Sequence, residues 1–482
     1  KRIVTGVAQG VRASCIWPLQ QEMTPVGPLS GRGIFVAIID SGIDYFHPDF
    51  RNADGSSRIA WLFADGKEYS KAQIDQALAA EDRTSALSLV PVTDPSGHGT
   101  HVAGIAAGNG RASGGRNRGV AYESPLIVVK LGTARSGGFP LTTQLMEAVE
   151  YVKRKSIEER KPVAINISFG NTYGSHDGTS LLERYLNTVS ERWKNVICVG
   201  SGNEGTTAGH AAGEYRKGMM TEVQLAVQQR EKSFSLQIWK SYVDEVAITI
   251  VDPSGNHSGR LEEKEGTQRI QIGETELLVY YGDPKPYSVR QEIYISFLPR
   301  NEFVTAGVWK IQMMPGQVVD KLWQMWLPVQ NALNIGTAFL KPDSSTTLTI
   351  PSTASLVITV AAYNALTFSY ADFSGRGPTQ IYEGENANKP DLAAPGVRVM
   401  APVAGGGYAE FTGTSFSTPF VTGSAALLME WGIVKGNDPY LYGEKVKAYL
   451  RRGARQIPGY ERWPNGELGY GRLCIVQSIP GM

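Results

Sequence analysis

Three short segments pair a reactive side chain with glycine, the residue that lets backbone and ligand approach closely. They read Ile38-Ile39-Asp40-Ser41-Gly42, Gly97-His98-Gly99-Thr100-His101 and Gly413-Thr414-Ser415-Phe416-Ser417-Thr418-Pro419. A hydroxyl, an imidazole and a carboxylate are the parts of an acyl-transfer centre. They supply a nucleophile, the base that takes its proton, and the acid that fixes the base's tautomer. Each segment alone has a plainer reading. An Asp can merely cap a turn, a Ser can merely cap a helix, and two His at i and i+3 can share a metal.

The elements around them favour the chemical reading. Ile34-Phe35-Val36-Ala37-Ile38-Ile39 is apolar without alternation, as in a parallel strand covered by helices on both faces. It delivers Asp40 at its carboxyl end, where open α/β sheets take ligands. Thr93-Asp94-Pro95-Ser96-Gly97 reads as a turn, and His98 opens a helix through Val102, Ala103, Ile105 and Ala106. No carboxylate or cysteine stands at a third-ligand spacing near His98 and His101, so no metal is expected. His98 is then the proton carrier and His101 a packed neighbour. Gly413-Thr414-Ser415 predicts a tight turn into a helix bearing Phe420, Val421, Ala425, Ala426, Leu427 and Leu428. Pro419 falls early in that helix, where a missing N–H is tolerated. The helix amino end stabilises the negative oxygen that acyl transfer creates.

Bulk properties are permissive. The 482 residues allow one large domain or two to three ordinary ones. A net charge of +1 with 19% charged residues suggests neither a nucleic-acid surface nor an acidic tail. The 54 glycines form no short repeat and fit a loop-rich α/β enzyme. Cys15, Cys198 and Cys474 cannot build a disulfide framework and leave one odd thiol in any pairing. Cys198, inside Val196-Ile197-Cys198-Val199, reads as a small buried hydrophobe. No stretch is apolar for the roughly 18 residues of a membrane helix. The sequence opens at Lys1 without a charged-then-apolar leader, which leaves secretion open.

Together the segments resemble the subtilisin-like serine proteases, or subtilases, in which Asp, His and Ser occur in this order. Further motifs carry the resemblance: Ile165-Asn166-Ile167-Ser168-Phe169-Gly170, Gly200-Ser201-Gly202-Asn203-Glu204-Gly205 and Asp391-Leu392-Ala393-Ala394-Pro395-Gly396. Similarity extends over about residues 5–204 and 348–475. It implies a parallel α/β core and an Asp40–His98–Ser415 triad that hydrolyses peptide bonds through an acyl-enzyme. Asn203 and the Ser415 backbone N–H would form the oxyanion hole. Ser168, Phe169, Gly170, Gly202 and Glu204 would line the substrate, with Glu204 suited to a basic side chain. It also implies peptide or protein substrates, a bacterial source with an extracellular or spore-associated setting, and no cofactor. Gly6-Val7-Ala8-Gln9-Gly10 resembles the mature family start, so an amino-terminal prodomain is expected to have been removed, and a released prodomain is a candidate partner. No nucleic-acid partner is expected.

Two departures stand out. Phe416 and Ser417 replace the family's usual Met and Ala, so a phenyl ring must be housed beneath the nucleophile. The loop Gly108-Asn109-Gly110-Arg111-Ala112-Ser113-Gly114-Gly115-Arg116-Asn117-Arg118 corresponds to a region that often holds structural calcium in subtilases. Here it carries three arginines and no carboxylate, which would repel a dication, and Asp49 stands almost alone.

Residues 206–347 change texture. Phe234, Leu236 and Ile238 alternate with Ser235 and Gln237, and Val246, Ile248 and Ile250 with Ala247 and Thr249. Four more short strands are expected near 277–281, 293–297, 308–313 and 322–327, which suggests a β-sandwich or jelly roll. The predicted organisation is a catalytic core in two parts, 1–205 and 348–482, interrupted by this all-β domain. That layout resembles the clostridial spore-germination proteases, and the resemblance implies that both ends of the insertion meet pocket walls. Trp309, Trp323 and Trp326 read as sheet core rather than a stacking platform. His47, His176, His210 and His257 read as ordinary polar residues. Two other readings stay open: a protein-binding scaffold or regulatory pseudoprotease, and a metal-dependent hydrolase using His98 and His101.

Overall fold

The apolar runs pair into a nine-stranded sheet in the computed structural model, which describes residues 7–21, 23–132, 140–378 and 388–482. Gly6, the first residue of the segment compared with the family's mature start, lies outside the described residues. Across the sheet the order is Ser369–Tyr370, Ile358–Asn364, Asn195–Gly200, Val163–Ile167, Phe35–Asp40, Leu126–Lys130, Ile59–Ala64 and Lys67–Ser70. Leu392–Pro395 pairs beside Ile358–Asn364. The strand Phe35–Asp40 is central and runs parallel to both neighbours.

Its lack of alternation has the expected cause. Val36 and Ile38 pack into one apolar core with Val102 and Ile105 of the helix His98–Ala107 and Phe420 and Val421 of the helix Thr414–Met429. Phe35, Ala37 and Ile39 pack into another with Leu145 and Val149 of Thr142–Glu158 and Leu182 and Leu186 of Leu181–Ser190. A disulfide joins Cys15 to Cys474. The remaining thiol, Cys198, is buried, and burial pushes it up to about 12. No helix among the described residues is long and apolar enough to cross a membrane.

The chain divides into two units. The first comprises 1–170, 181–202 and 351–482. The second comprises 171–180 and 203–350, and holds two antiparallel sheets around one apolar core. One sheet runs His257–Arg260, Val246–Val251, Gly307–Pro315, Thr221–Val227, Ala338–Phe339. The other runs Thr267–Ile272, Thr275–Tyr281, Arg290–Pro299, Phe234–Ser241, Leu322–Trp326, His210–Glu214.

Apolar and polar residues alternate along Phe234–Ser241, yet every residue is buried. Its polar face is covered by 171–180: Gln237 donates to the Thr172 carbonyl (3.3 Å) and accepts from the Gly174 N–H (3.0 Å). His176 and His210, expected as ordinary polar residues, are buried, and their rings stack on Trp326 at 4.1 and 4.8 Å. The His176 nitrogens lie 2.7 and 3.1 Å from the carbonyl oxygens of Leu348 and Thr172, fastening the segment 171–180 to this unit. Trp309 is fully buried and meets Phe297 edge-on.

Candidate active site

Asp40 ends its strand in a buried position, and its Oδ1 accepts from the Ser41 N–H and from His98 Nδ1, both at 2.7 Å. The helix that starts at His98 is fixed from below by Asp94. Its Oδ2 accepts from the Thr100 N–H (2.8 Å) and hydroxyl (2.7 Å), satisfying donors that a helix start leaves open. Its Oδ1 takes the Ser41 hydroxyl (2.7 Å), whose oxygen in turn accepts from the Gly99 N–H (3.0 Å). Asp94 and Ser41 therefore bind the Asp40 turn to the His98 helix. The motif glycines make this approach possible, because a Cβ on Gly99 would sit 2.1 Å from the Gly42 carbonyl oxygen. Asp94 escaped the sequence reading except as part of a turn. A carboxylate a few residues ahead of a helix is a signal that could have found it.

Charge at the imidazole follows from this setting. Burial disfavours the imidazolium, but the Asp40 charge and hydrogen bond, helped by Asp94, outweigh it and raise His98 above its ordinary value. His101 goes the other way. Burial, then repulsion from His98, pulls it down to about 4, so it is neutral near pH 7. Its ring stacks on Phe411 at 3.8 Å, and Phe411 stacks on Phe416 at 5.3 Å. This aromatic stack houses the Phe416 ring, which lies 5.7 Å from that of His98.

Ser415 is the second residue of a helix that is otherwise buried throughout. Its hydroxyl donates to the Ser168 carbonyl (2.9 Å), and the Ser168 hydroxyl donates to the Ser415 carbonyl (3.1 Å). The reciprocal pair has a cause in the sequence. Pro419 is deeper than the first turn, and it lacks the N–H that would have served the Ser415 carbonyl. Ser168 supplies the replacement donor. Asn166 holds Ser168 (2.7 Å) and accepts from Thr422 on the serine helix (2.9 Å). Ser168→Ala should leave the Ser415 carbonyl without this donor and cost about 1 kcal/mol. Urea unfolding measures it, and an unchanged midpoint would count against the replacement.

The other expected site residues sit as follows. Phe169 and Gly170 follow the strand Val163–Ile167 and are half-buried. Gly202 follows Asn195–Gly200, and its carbonyl accepts from the Gly375 N–H (2.8 Å). Asn203 and Glu204 belong to the second unit. Glu204 Oε2 accepts from the Gln330 N–H (3.2 Å), and burial raises its carboxyl above the ordinary range despite hydrogen bonds from Thr207 and Gln330. Asp49, in the turn Pro48–Phe50, accepts from the Tyr408 hydroxyl (2.7 and 2.9 Å) and from the Ala112 N–H of the arginine loop (2.9 Å), so protein donors engage the carboxylate that the resemblance links to calcium.

Comparison with known proteins identifies the family. Residues 31–257 and 326–471 match the Subtilase family. The solved CspB protease of Clostridium perfringens superposes with a TM-score of 0.89 at 39% identity, covering 97% of this chain and 96% of that one. Minor extracellular protease Vpr of Bacillus subtilis is 23% identical over 93% of this chain, which spans 52% of Vpr. Serine protease AprX of the same bacterium is 31% identical over 37% of this chain and 34% of its own length. The chain thus spans about half of Vpr and 23% of a related PII-type proteinase of Lactococcus lactis. With a match over well over half its length, the chain belongs to the subtilase family of serine proteases.

Proposed function

We propose that the protein is a bacterial serine endopeptidase that cleaves peptide bonds through an acyl-enzyme on Ser415. The observation that carries this reading is the 2.7 Å bond between Asp40 and His98, set in the same unit as a serine at the amino end of a buried helix. In the proposed cycle the Ser415 oxygen attacks the peptide carbonyl and its proton passes to His98 Nε2. The C–N bond then breaks and the same proton leaves on the amine. Water repeats the sequence on the acyl-enzyme. Asp40 holds the tautomer and steadies the imidazolium. The Ser415 N–H and the Asn203 amide receive the oxyanion, and the backbone of Ser168 and Gly170 pairs with an extended substrate. Phe169, Gly202 and Glu204 complete the proposed substrate-contacting set. The catalytic core is assigned to 1–205 and 348–482, the inserted domain to 206–347, and maturation to removal of an amino-terminal prodomain.

Before attack, the Ser415 hydroxyl must turn from the Ser168 carbonyl to the imidazole. Catalytic hydrogen bonds commonly tighten only when substrate binds. The Ser168 bond is also the observation on which a non-catalytic scaffold would rest. A fluorophosphonate probe separates the two, because a scaffold leaves Ser415 unlabelled.

The rate profile gives a second check. Catalysis needs neutral His98, whose pKa is raised, so activity should rise with pH and its acid limb should lie above the ordinary histidine value near 6.5. Asp40→Asn removes the main raising influence and should move the limb to lower pH. A limb that stays in place would disconnect Asp40 from the titrating group.

A further inference from the structure

The loop that follows the His98 helix borders an open cavity of about 640 Å³ whose lining includes Arg32, Arg58, Arg111 and Arg118, with Tyr122 and Glu123. Glu123 is the only carboxylate among these lining residues, and it is already engaged by Arg32 (3.0 Å) and the Ser30 hydroxyl (2.5 Å). The other guanidinium groups bind neutral partners. Arg58, buried, donates to the carbonyls of Asp49 (3.1 Å), Ala107 (2.6 Å) and Ser124 (2.7 Å). Arg111 donates to the carbonyls of Asn52 and Ala53. Arg118 lies 4.4 Å over the Tyr122 ring, and its buried Nε has no partner. Carbonyl oxygens orient a guanidinium without cancelling its charge. Asp49, the other carboxylate near Arg58, does not line the cavity and is held by Tyr408 and Ala112.

We propose that this cavity binds a phosphate-type oxyanion carrying two or more negative charges. Planar guanidinium forks match the oxygens of such groups, and a single carboxylate would leave the cationic excess unbalanced. Inorganic pyrophosphate is the simplest probe. Binding would bear on the end of the His98 helix, because the Arg58 donor at 2.6 Å is served by the carbonyl of Ala107, its last residue.

The test is thermal unfolding of the whole chain with added pyrophosphate, phosphate, citrate or sodium chloride at matched ionic strength, together with calorimetric titration of pyrophosphate. A ligand selective for the folded state gives a saturable rise in Tm. Pyrophosphate should raise it by several degrees, phosphate by less and sodium chloride not at all. Arg118→Gln and Arg111→Gln should each weaken pyrophosphate about tenfold. Arg116→Gln, in the same loop but outside the lining, should leave affinity unchanged. An absent shift, or equal affinity in Arg118→Gln, Arg111→Gln and the unmodified chain, overturns the site. A citrate shift as large as that of pyrophosphate overturns the phosphate class.

Discussion

Ser415→Ala should lower kcat by about 10⁶-fold, a magnitude that comes from removing the corresponding serine in subtilisin itself. KM for a peptide amide should change little, since the alanine deletes one oxygen and leaves the proposed substrate-pairing backbone of Ser168 and Gly170 in place. Labelling by a fluorophosphonate should vanish with the activity. His98→Ala should cost a comparable factor, and the double variant no more than either single one, because nucleophile and base act as one unit. The variant should stay folded: the Ser168 hydroxyl still reaches the residue 415 carbonyl, a backbone group the substitution leaves intact. Retained hydrolysis that a chelator abolishes would instead restore the metal-dependent reading of His98 and His101. Retained labelling at another serine would move the nucleophile elsewhere.

How far this site could be read from sequence depended on how local each determinant is. The strand ending at Asp40 and the helices starting at His98 and Thr414 follow from apolar runs and glycine placement within about ten residues. What joins them does not. Asp94, Ser41 and Thr100 form a cap whose meaning requires knowing that two distant turns meet. Pro419 was legible as a helix residue with no N–H, but the donor that replaces it, Ser168, lies 247 positions from Ser415. In the second unit the period-two pattern of Phe234–Ser241 predicted a strand correctly but could not show that its polar face is buried too. The segment that buries that face, 171–180, lies outside the predicted insertion. Local periodicity reports which side chains alternate, and only packing decides what covers them.

Asp391→Asn should destabilise the fold by about 3–5 kcal/mol, the cost of removing one partner from a buried charge cluster. Asp391 is fully buried. Its Oδ2 accepts from Lys389 (2.9 Å) and the Thr359 N–H (2.7 Å), and its Oδ1 faces Lys447 (3.2 Å) and Arg451 Nε (2.8 Å). Lys447 and Arg451 come from the helix Glu444–Arg452, so this carboxylate pins that helix to the strands Leu392–Pro395 and Ile358–Asn364. Burial pulls Lys389 well below its ordinary range. Its ammonium nevertheless has three acceptors (the Val357 carbonyl, Thr359 Oγ1 and Asp391), which suits the charged form. Burial by itself would raise the Asp391 pKa, but Lys389, Lys447 and Arg451 together hold it far below the usual carboxylate range. A depressed folded pKa contributes stability that is fully present above the unfolded value, about 3.9, and is lost as pH falls toward the folded one. Urea unfolding should therefore show a gap between the two proteins that is constant above about pH 5 and narrows below about pH 4. An amide keeps the shape but not the charge, so a gap that stayed constant into acid would trace the loss to packing, with the carboxylate's charge playing no part.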